Sequence, residues 1–184
     1  MSVEKAALRA EAKRLAESYS FSEAAAGNAS IQRRLETVPE LLGAKRLFAY
    51  VAVGRECATD GIIKFASERG CVIALPVTVG AGEMYFARFT GELVDGKFGI
   101  PAPTGEALVP GESDVVIVPA LCCDERCYRL GHGGGYYDRA LADCRAYKVG
   151  LCRDRLLFKK IPTEWNDIRL DAVITETRII KRGP

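Results

Sequence analysis

The chain has 184 residues, 48% of them hydrophobic, and its 26 Lys and Arg against 24 Asp and Glu leave a net charge of +2. That suffices for one substantial core and falls short of two typical domains, so a single domain over residues 1–184 is expected. The near-neutral balance argues against a general nucleic-acid binder, no apolar run approaches membrane-spanning length, and the charged N-terminus lacks the apolar core of a signal peptide, so a cytoplasmic protein is expected.

Leu8, Ala12, Leu15 and Tyr19 recur at i, i+4, i+7 and i+11, which predicts a first helix with one apolar stripe. Lys5, Arg9 and Lys13 fall on another face, and periodicity alone makes them a solvated basic surface. A second helix is predicted from a cap at Ser22 toward Thr37, after which residues 39–43 lead into a strand at about 46–53. Residues 54–59 form a loop, and Thr59 or Asp60 caps a helix through Arg69. Strands are then predicted at 71–75, 83–89, 114–118, 147–151 and 172–175, with a helix from about 135 to 144. Strands alternating with helices specify an α/β fold: one three-layer domain with a mostly parallel sheet and helices on both faces. Ligands of such sheets bind outside the carboxyl ends of the strands.

The richest stretch follows the strand at 114–118. Residues 128–139 read Y-R-L-G-H-G-G-G-Y-Y-D-R, with four glycines among two arginines, an aspartate and paired tyrosines. Glycine lets backbone N–H groups turn toward phosphate oxygens, and the following helix start favours anions. Arg129 and Arg139 can add charged donors, and Asp138 can take a hard cation. The spacing matches no nucleotide fingerprint, because Tyr136 stands where a dinucleotide motif needs glycine. Gly91 to Lys97 resembles a P-loop, but Phe98 replaces its Ser or Thr, and Asp95-Gly96 reads instead as a hairpin turn. Seven cysteines include no C-x-x-C pair, so free thiols packed as small apolar residues are expected rather than zinc or disulfides.

Several residues keep two readings on the sequence alone. Glu56 can be a surface loop carboxylate or a ligand group, and Tyr136 and Tyr137 can pack a helix start or offer a flat face. His132, the only histidine, is an incidental loop residue or a substrate contact. Asp138 and Asp167 can cap, pair with arginines or hold magnesium beside phosphates.

Val118-Pro119-Ala120-Leu121, then Asp124, then the run from Tyr128 through Arg139 resembles the signature of the 5-formyltetrahydrofolate cyclo-ligase family. Lys5 and Arg9, Glu56 and Thr59, Phe98-Gly99-Ile100-Pro101 with Pro103, and Asp167 match in the family's order along nearly the whole chain. Four positions depart: His132 stands for Tyr or Arg, Ala58 and Ala102 for acidic residues, and Asn166 for the histidine that often precedes Asp167. These departures bear on substrate preference and rate more than on reaction class.

The resemblance implies ATP-dependent conversion of 5-formyltetrahydrofolate to 5,10-methenyltetrahydrofolate, with ATP as co-substrate and Mg2+ as metal. It assigns ATP to Lys5, Arg9, Arg129, Gly131, His132, Gly133, Gly134, Gly135, Tyr136 and Tyr137. The reduced folate goes to Val51, Glu56 and Tyr136, catalysis to Arg129 and Tyr136, and the metal to Asp138 and Asp167. The partners expected are these small molecules alone, bound by a monomer with no nucleic-acid or membrane partner. Two other readings stay open: a noncatalytic ligand-sensing domain on the same scaffold, and an ATP-dependent enzyme acting on another small amide.

Overall fold

In a computed structural model that describes residues 3–183, the β-branched runs become the middle of one large sheet. In chain order the strands are β1 (Arg46–Phe48), β2 (Val72–Gly80), β3 (Glu83–Arg88), β4 (Ala107–Leu108), β5 (Val115–Val118), β6 (Cys122–Asp124), β7 (Arg129–Leu130), β8 (Tyr147–Leu151), β9 (Leu157–Phe158), β10 (Ala172–Ile174) and β11 (Ile179–Lys181). Eight of them form a sheet in the order β11-β10-β8-β5-β1-β2-β3-β4, and β7-β6-β9 form a second, three-stranded sheet. β10, β8, β5, β1 and β2 run parallel, whereas β3, β4 and β11 add antiparallel edges.

Alternation along the parallel strands creates two cores. Leu47, Ile73, Leu75, Val115, Ile117 and Val149 face one side, where Ile31 and Leu35 of α2 (Phe21–Leu35), Leu41 of α3 (Pro39–Leu42), and Ile62 and Ala66 of α4 (Asp60–Glu68) cover them. Phe48, Ala74, Val116 and Val118 face the other, against Ala12 of α1 (Val3–Glu17) and the small sheet's Cys122, Cys123 and Leu130. Strands buried on both faces carry no polar side, and each fully buried Val, Ile or Leu contributes roughly 1.5–3 kcal/mol. The expected three-layer α/β arrangement is therefore present. A short α5 (Tyr136–Ala140) follows the glycine loop.

The structure corrects local expectations. α2 is capped by Ser20, not Ser22: Ser20 Oγ accepts from Glu23 N at 3.2 Å and Glu23 Oε2 accepts from Ser20 N at 2.8 Å. Only Ser20 has a glutamate three residues on, which completes a capping box. Thr59 occupies the cap position of α4 without capping it, because its hydroxyl donates to Tyr50 O at 2.6 Å. That bond diverts the chain, so β1 ends at Phe48 and residues 50–56 peel away as a loop. Tyr19 lies beyond the end of α1, buried, with its hydroxyl accepting from Arg155 N. Asp95-Gly96 makes no two-residue hairpin: a Val94–Ala102 bridge closes a longer loop with a 3-10 turn at Lys97–Gly99.

All seven cysteines are free, and Cys57, Cys122, Cys123, Cys127 and Cys152 are buried in the two cores. Burial pushes the Cys57 and Cys122 thiols up to about 12, which suits packing rather than nucleophilic chemistry.

Candidate active site

The parallel strands β1, β5 and β8 end side by side, and the loops that leave them enclose a cavity of about 280 Å³. Val53 and Glu56 come from the loop after β1, Ala120 and Leu121 from the one after β5, and Leu151 to Arg153 from the end of β8. His132 of the glycine loop and Lys13 of α1 complete its rim. Val51 itself packs against the helix-covered core, one turn of loop away from the wall that Val53 provides.

Glu56 is held from two sides. Its Oε2 accepts from Val53 N at 2.9 Å, and its Oε1 lies 3.3 Å from His132 Nε2. His132, expected among the phosphate contacts, thus turns toward the carboxylate at the other side of the loop, with its side chain 55% exposed. Opposite, Arg153 is buried, donates to Asn28 Oδ1 at 2.7 Å and to Ala24 O at 3.3 Å, and pairs with Glu176 at 3.5 Å. The sequence reading passed over Arg153, although an arginine two residues past a buried parallel strand is a usable signal for a crevice wall.

The glycine loop links the small sheet to α5. Gly133 and Gly135 adopt φ of 102° and 66°, left-handed conformations that a side chain would strain. Arg9 Nε donates to Gly131 O at 2.9 Å, and a Cβ at Gly133 would sit 3.4 Å from the Arg9 guanidinium. Arg9 therefore lies directly beneath the loop. Its Nη1, Arg129 Nε and the Tyr137 hydroxyl are buried with no hydrogen-bond partner among the described residues. Each is costly to leave unpaired, and Arg9, which lies against Gly131 and Gly133, is the one placed directly to meet a ligand's acceptors at the loop.

The tyrosines have different tasks. The Tyr137 ring packs edge-on to Phe86 at 6.1 Å, and Phe86 in turn to Phe48 at 5.2 Å, which seats the loop on the core. Burial pushes the Tyr137 phenol up, and Glu56 pushes the same way against Arg129. Tyr136 donates to Gly80 O at 3.1 Å, and Arg139 Nε donates to Gly82 O at 2.8 Å, so the β2–β3 hairpin end braces the start of α5.

Both acidic residues meet cations. Arg129 Nη1 donates to Asp138 Oδ1 at 2.8 Å, where Ile168 N also donates at 3.2 Å. Burial alone would raise the Asp138 pKa, but the Arg129 charge and these hydrogen bonds hold it below the ordinary carboxyl value. Asp167 accepts from Lys5 Nζ at 2.9 and 2.7 Å and from Glu164 N at 2.6 Å, and Lys5 also pairs with Glu164 at 3.2 Å. The basic face of α1 is thus buried at Lys5 rather than solvated. For a metal, Asp138 Oδ2 is the carboxylate oxygen of this pair without a hydrogen bond among the described residues. No group of three or more His, Cys, Asp or Glu that could enclose an ion occurs among them. One free carboxylate oxygen beside a phosphate cradle fits magnesium, which binds one or two carboxylates together with substrate phosphates.

A parallel α/β sheet with a glycine cradle, buried cations and an apolar cavity at its carboxyl edge defines an enzyme that handles phosphate beside an organic substrate. The model of the 5-formyltetrahydrofolate cyclo-ligase family matches residues 1–176, and the chain belongs to that family. The 5-formyltetrahydrofolate cyclo-ligase of Mycolicibacterium smegmatis is 34% identical over 148 residues, 74% of this chain and 76% of that protein. The one from Escherichia coli K12 is 33% identical over 156 residues, covering 79% and 86% respectively. The solved 5,10-methenyltetrahydrofolate synthetase of Aquifex aeolicus aligns with a TM-score of 0.85 at 28% identity, over 96% of this chain and 92% of that one. With its family the chain is an ATP-dependent ligase that converts 5-formyltetrahydrofolate to 5,10-methenyltetrahydrofolate, and the ligand-sensing and other-amide readings are set aside.

Proposed function

We propose that the reaction proceeds by phosphorylation of the formyl oxygen at the glycine loop, followed by ring closure in the adjoining cavity. A formamide is a poor electrophile because its nitrogen lone pair delocalises into the carbonyl, and hydroxide leaves carbon poorly. Attack of the formyl oxygen on the γ-phosphorus forms the O–P bond and releases ADP. The iminium-like phosphate ester then takes the exocyclic nitrogen at its formyl carbon, that nitrogen loses its proton, and the C–O bond breaks to release phosphate.

No covalent enzyme intermediate is required, so the protein's work is alignment and charge neutralisation. Arg9, Arg129 and the amides of Gly131, Gly133, Gly134 and Gly135 hold the phosphates, with His132 and Tyr137 at the loop's two sides. Lys5 gives up its longer contact to Glu164 to reach a phosphate and keeps Asp167 as its counterion. Tyr136, whose hydroxyl proton goes to Gly80 O, offers its ring at the loop's exit, and Arg129 neutralises the transferring group. Glu56 accepts from the donor-rich pterin edge, beside Val53 of the cavity wall, with Val51 backing it from the core. Magnesium, held by Asp138 with Asp167 nearby, would supply positive charge to the phosphate oxygens.

What carries this reading is the glycine loop itself, with Arg9 donating to Gly131 O and holding a buried, unpartnered Nη1 against Gly133. The seven free thiols fit a reducing compartment, and we assign the enzyme to the cytoplasm. We assign a monomer. No helix among the described residues is long and apolar enough to cross a membrane. The test follows the absorbance of the methenyl product after mixing protein, 5-formyltetrahydrofolate and magnesium-ATP. One phosphate released per ring closed is expected, and product formed without ATP refutes the mechanism.

A further inference from the structure

His132, the chain's single histidine, belongs to both halves of the site. It sits in the glycine loop between Gly131 and Gly133, yet it lines the cavity together with Glu56. Its Nε2 lies 3.3 Å from Glu56 Oε1. An ionised carboxylate only accepts, so Nε2 carries the proton of this contact. The other Glu56 oxygen accepts from Val53 N at 2.9 Å, and these are the carboxylate's only hydrogen bonds among the described residues.

The two partners differ in freedom. Glu56 is tied to the backbone of its own loop and its side chain is 9% exposed, whereas His132 is more than half exposed and makes no other side-chain hydrogen bond among the described residues. The backbone before His132 is also unconfined, because a Cβ built at Gly131 meets nothing within 4 Å and glycine turns readily. His132 is therefore the member that can move, and Glu56 the one that stays. A phosphate cradled by the loop offers His132 a more highly charged acceptor than one carboxylate.

We infer that His132 couples the two substrates: in the free enzyme it occupies Glu56, and nucleotide phosphate at the glycine loop draws it away, leaving Oε1 and the cavity mouth open to the pterin edge. The inference rests on the reading of the loop as the phosphate site and of Glu56 as the folate acceptor. His132 is thus a positioning residue, acting on folate through Glu56. Both ligands require the bridge to open, so the first to bind spares the second that cost, and the coupling is equal in the two directions. Its size is that of a partly exposed ion pair, about two- to fivefold in affinity.

Calorimetry of the full chain with 5-formyltetrahydrofolate, alone and with a saturating non-hydrolysable ATP analogue and magnesium, reads the coupling. In the wild type the analogue is expected to tighten folate binding about two- to fivefold. H132A is expected to bind folate alone more tightly than the wild type does, and to gain nothing further from the analogue. H132Q, whose amide nitrogen reaches the place of Nε2, is expected to keep part of the coupling. A histidine that merely shapes the loop gives the opposite sign, since its removal weakens folate binding. Folate affinity in the wild type indifferent to bound analogue, or an equal gain in wild type and H132A, overturns the inference. Glu56→Gln in the same titrations tests the underlying reading. If that variant binds folate as the wild type does, the folate role of Glu56 falls and the coupling with it; if it weakens folate while H132A gains as much as the wild type, the coupling alone falls. An analogue that does not bind at all overturns the phosphate reading and the coupling together.

Discussion

Replacing Asp138 by Asn should reveal how the phosphate-side cation is held. Arg129 is only 4% exposed at its side chain and Asp138 20%, and they meet at 2.8 Å. Removing one partner of a buried ion pair costs roughly 3–5 kcal/mol, because the other charge is left uncompensated. Asparagine still offers Oδ1 to Arg129 and to Ile168 N, and one-fifth of the site sees water, so about 2 kcal/mol is expected. For a chain of this size that lowers the melting temperature by about 4–8 °C. The pH dependence has a fixed sign. The Asp138 carboxyl titrates below its ordinary value of 3.8 in the folded state, so its contribution is complete above that value and lost as pH falls through the lower folded one. Circular-dichroism melts of both proteins should differ fully from about pH 5 upward and converge only once pH falls below the folded-state value, which lies under 3.8. Equal melting temperatures near neutrality, or a gap that persists in acid, would refute the buried pair. Magnesium titration of turnover in the same proteins separates the structural effect from the proposed metal role.

Lys5→Ala and Arg9→Ala should each raise the KM for ATP about 10- to 100-fold, the range for losing a charge-assisted hydrogen bond, and leave the KM for folate nearly unchanged; unaltered steady-state kinetics would return both residues to a surface role. Glu56→Gln should weaken folate binding in calorimetry while an ATP analogue binds normally, and joint loss of both ligands would point to misfolding instead. At about pH 8 a water-soluble disulfide reagent should label no more than the half-buried Cys71 and Cys144 in the native protein, because burial keeps Cys57 and Cys122 protonated. Rapid labelling of all seven thiols without denaturant would contradict that packing.

The parts legible in the sequence are those whose physics is local. Residues 115–118 are four consecutive apolar side chains, all buried, and no other element accommodates them as well as a strand covered on both sides. The glycine loop was legible because its special backbone and its charges are contiguous. The small sheet was not, since its two- and three-residue strands pair Cys123 with Leu157 and carry no periodicity long enough to register. Ser20 and Ser22 differ as caps only through Glu23, and Thr59 lost its expected role to a carbonyl nine residues upstream. In the site, the gap concerns pairing: Lys5 to Asp167 and Glu56 to His132 join residues 162 and 76 positions apart. A carboxylate's partner across such distances depends on the topology, which one-dimensional spacing does not encode.

The Lys5–Asp167 bridge has a consequence for biosynthesis. α1 is translated first, yet the carboxylate that neutralises its buried ammonium is supplied 162 residues later, after β8 and β9. During elongation a nascent chain carries α1 without that counterion, and an uncompensated ammonium resists burial. The helix therefore docks late, as one of the last long-range closures of the fold. A product truncated before Asp167 would keep β1, β2, β5 and β8 but leave the Lys5 ammonium without the carboxylate that neutralises it.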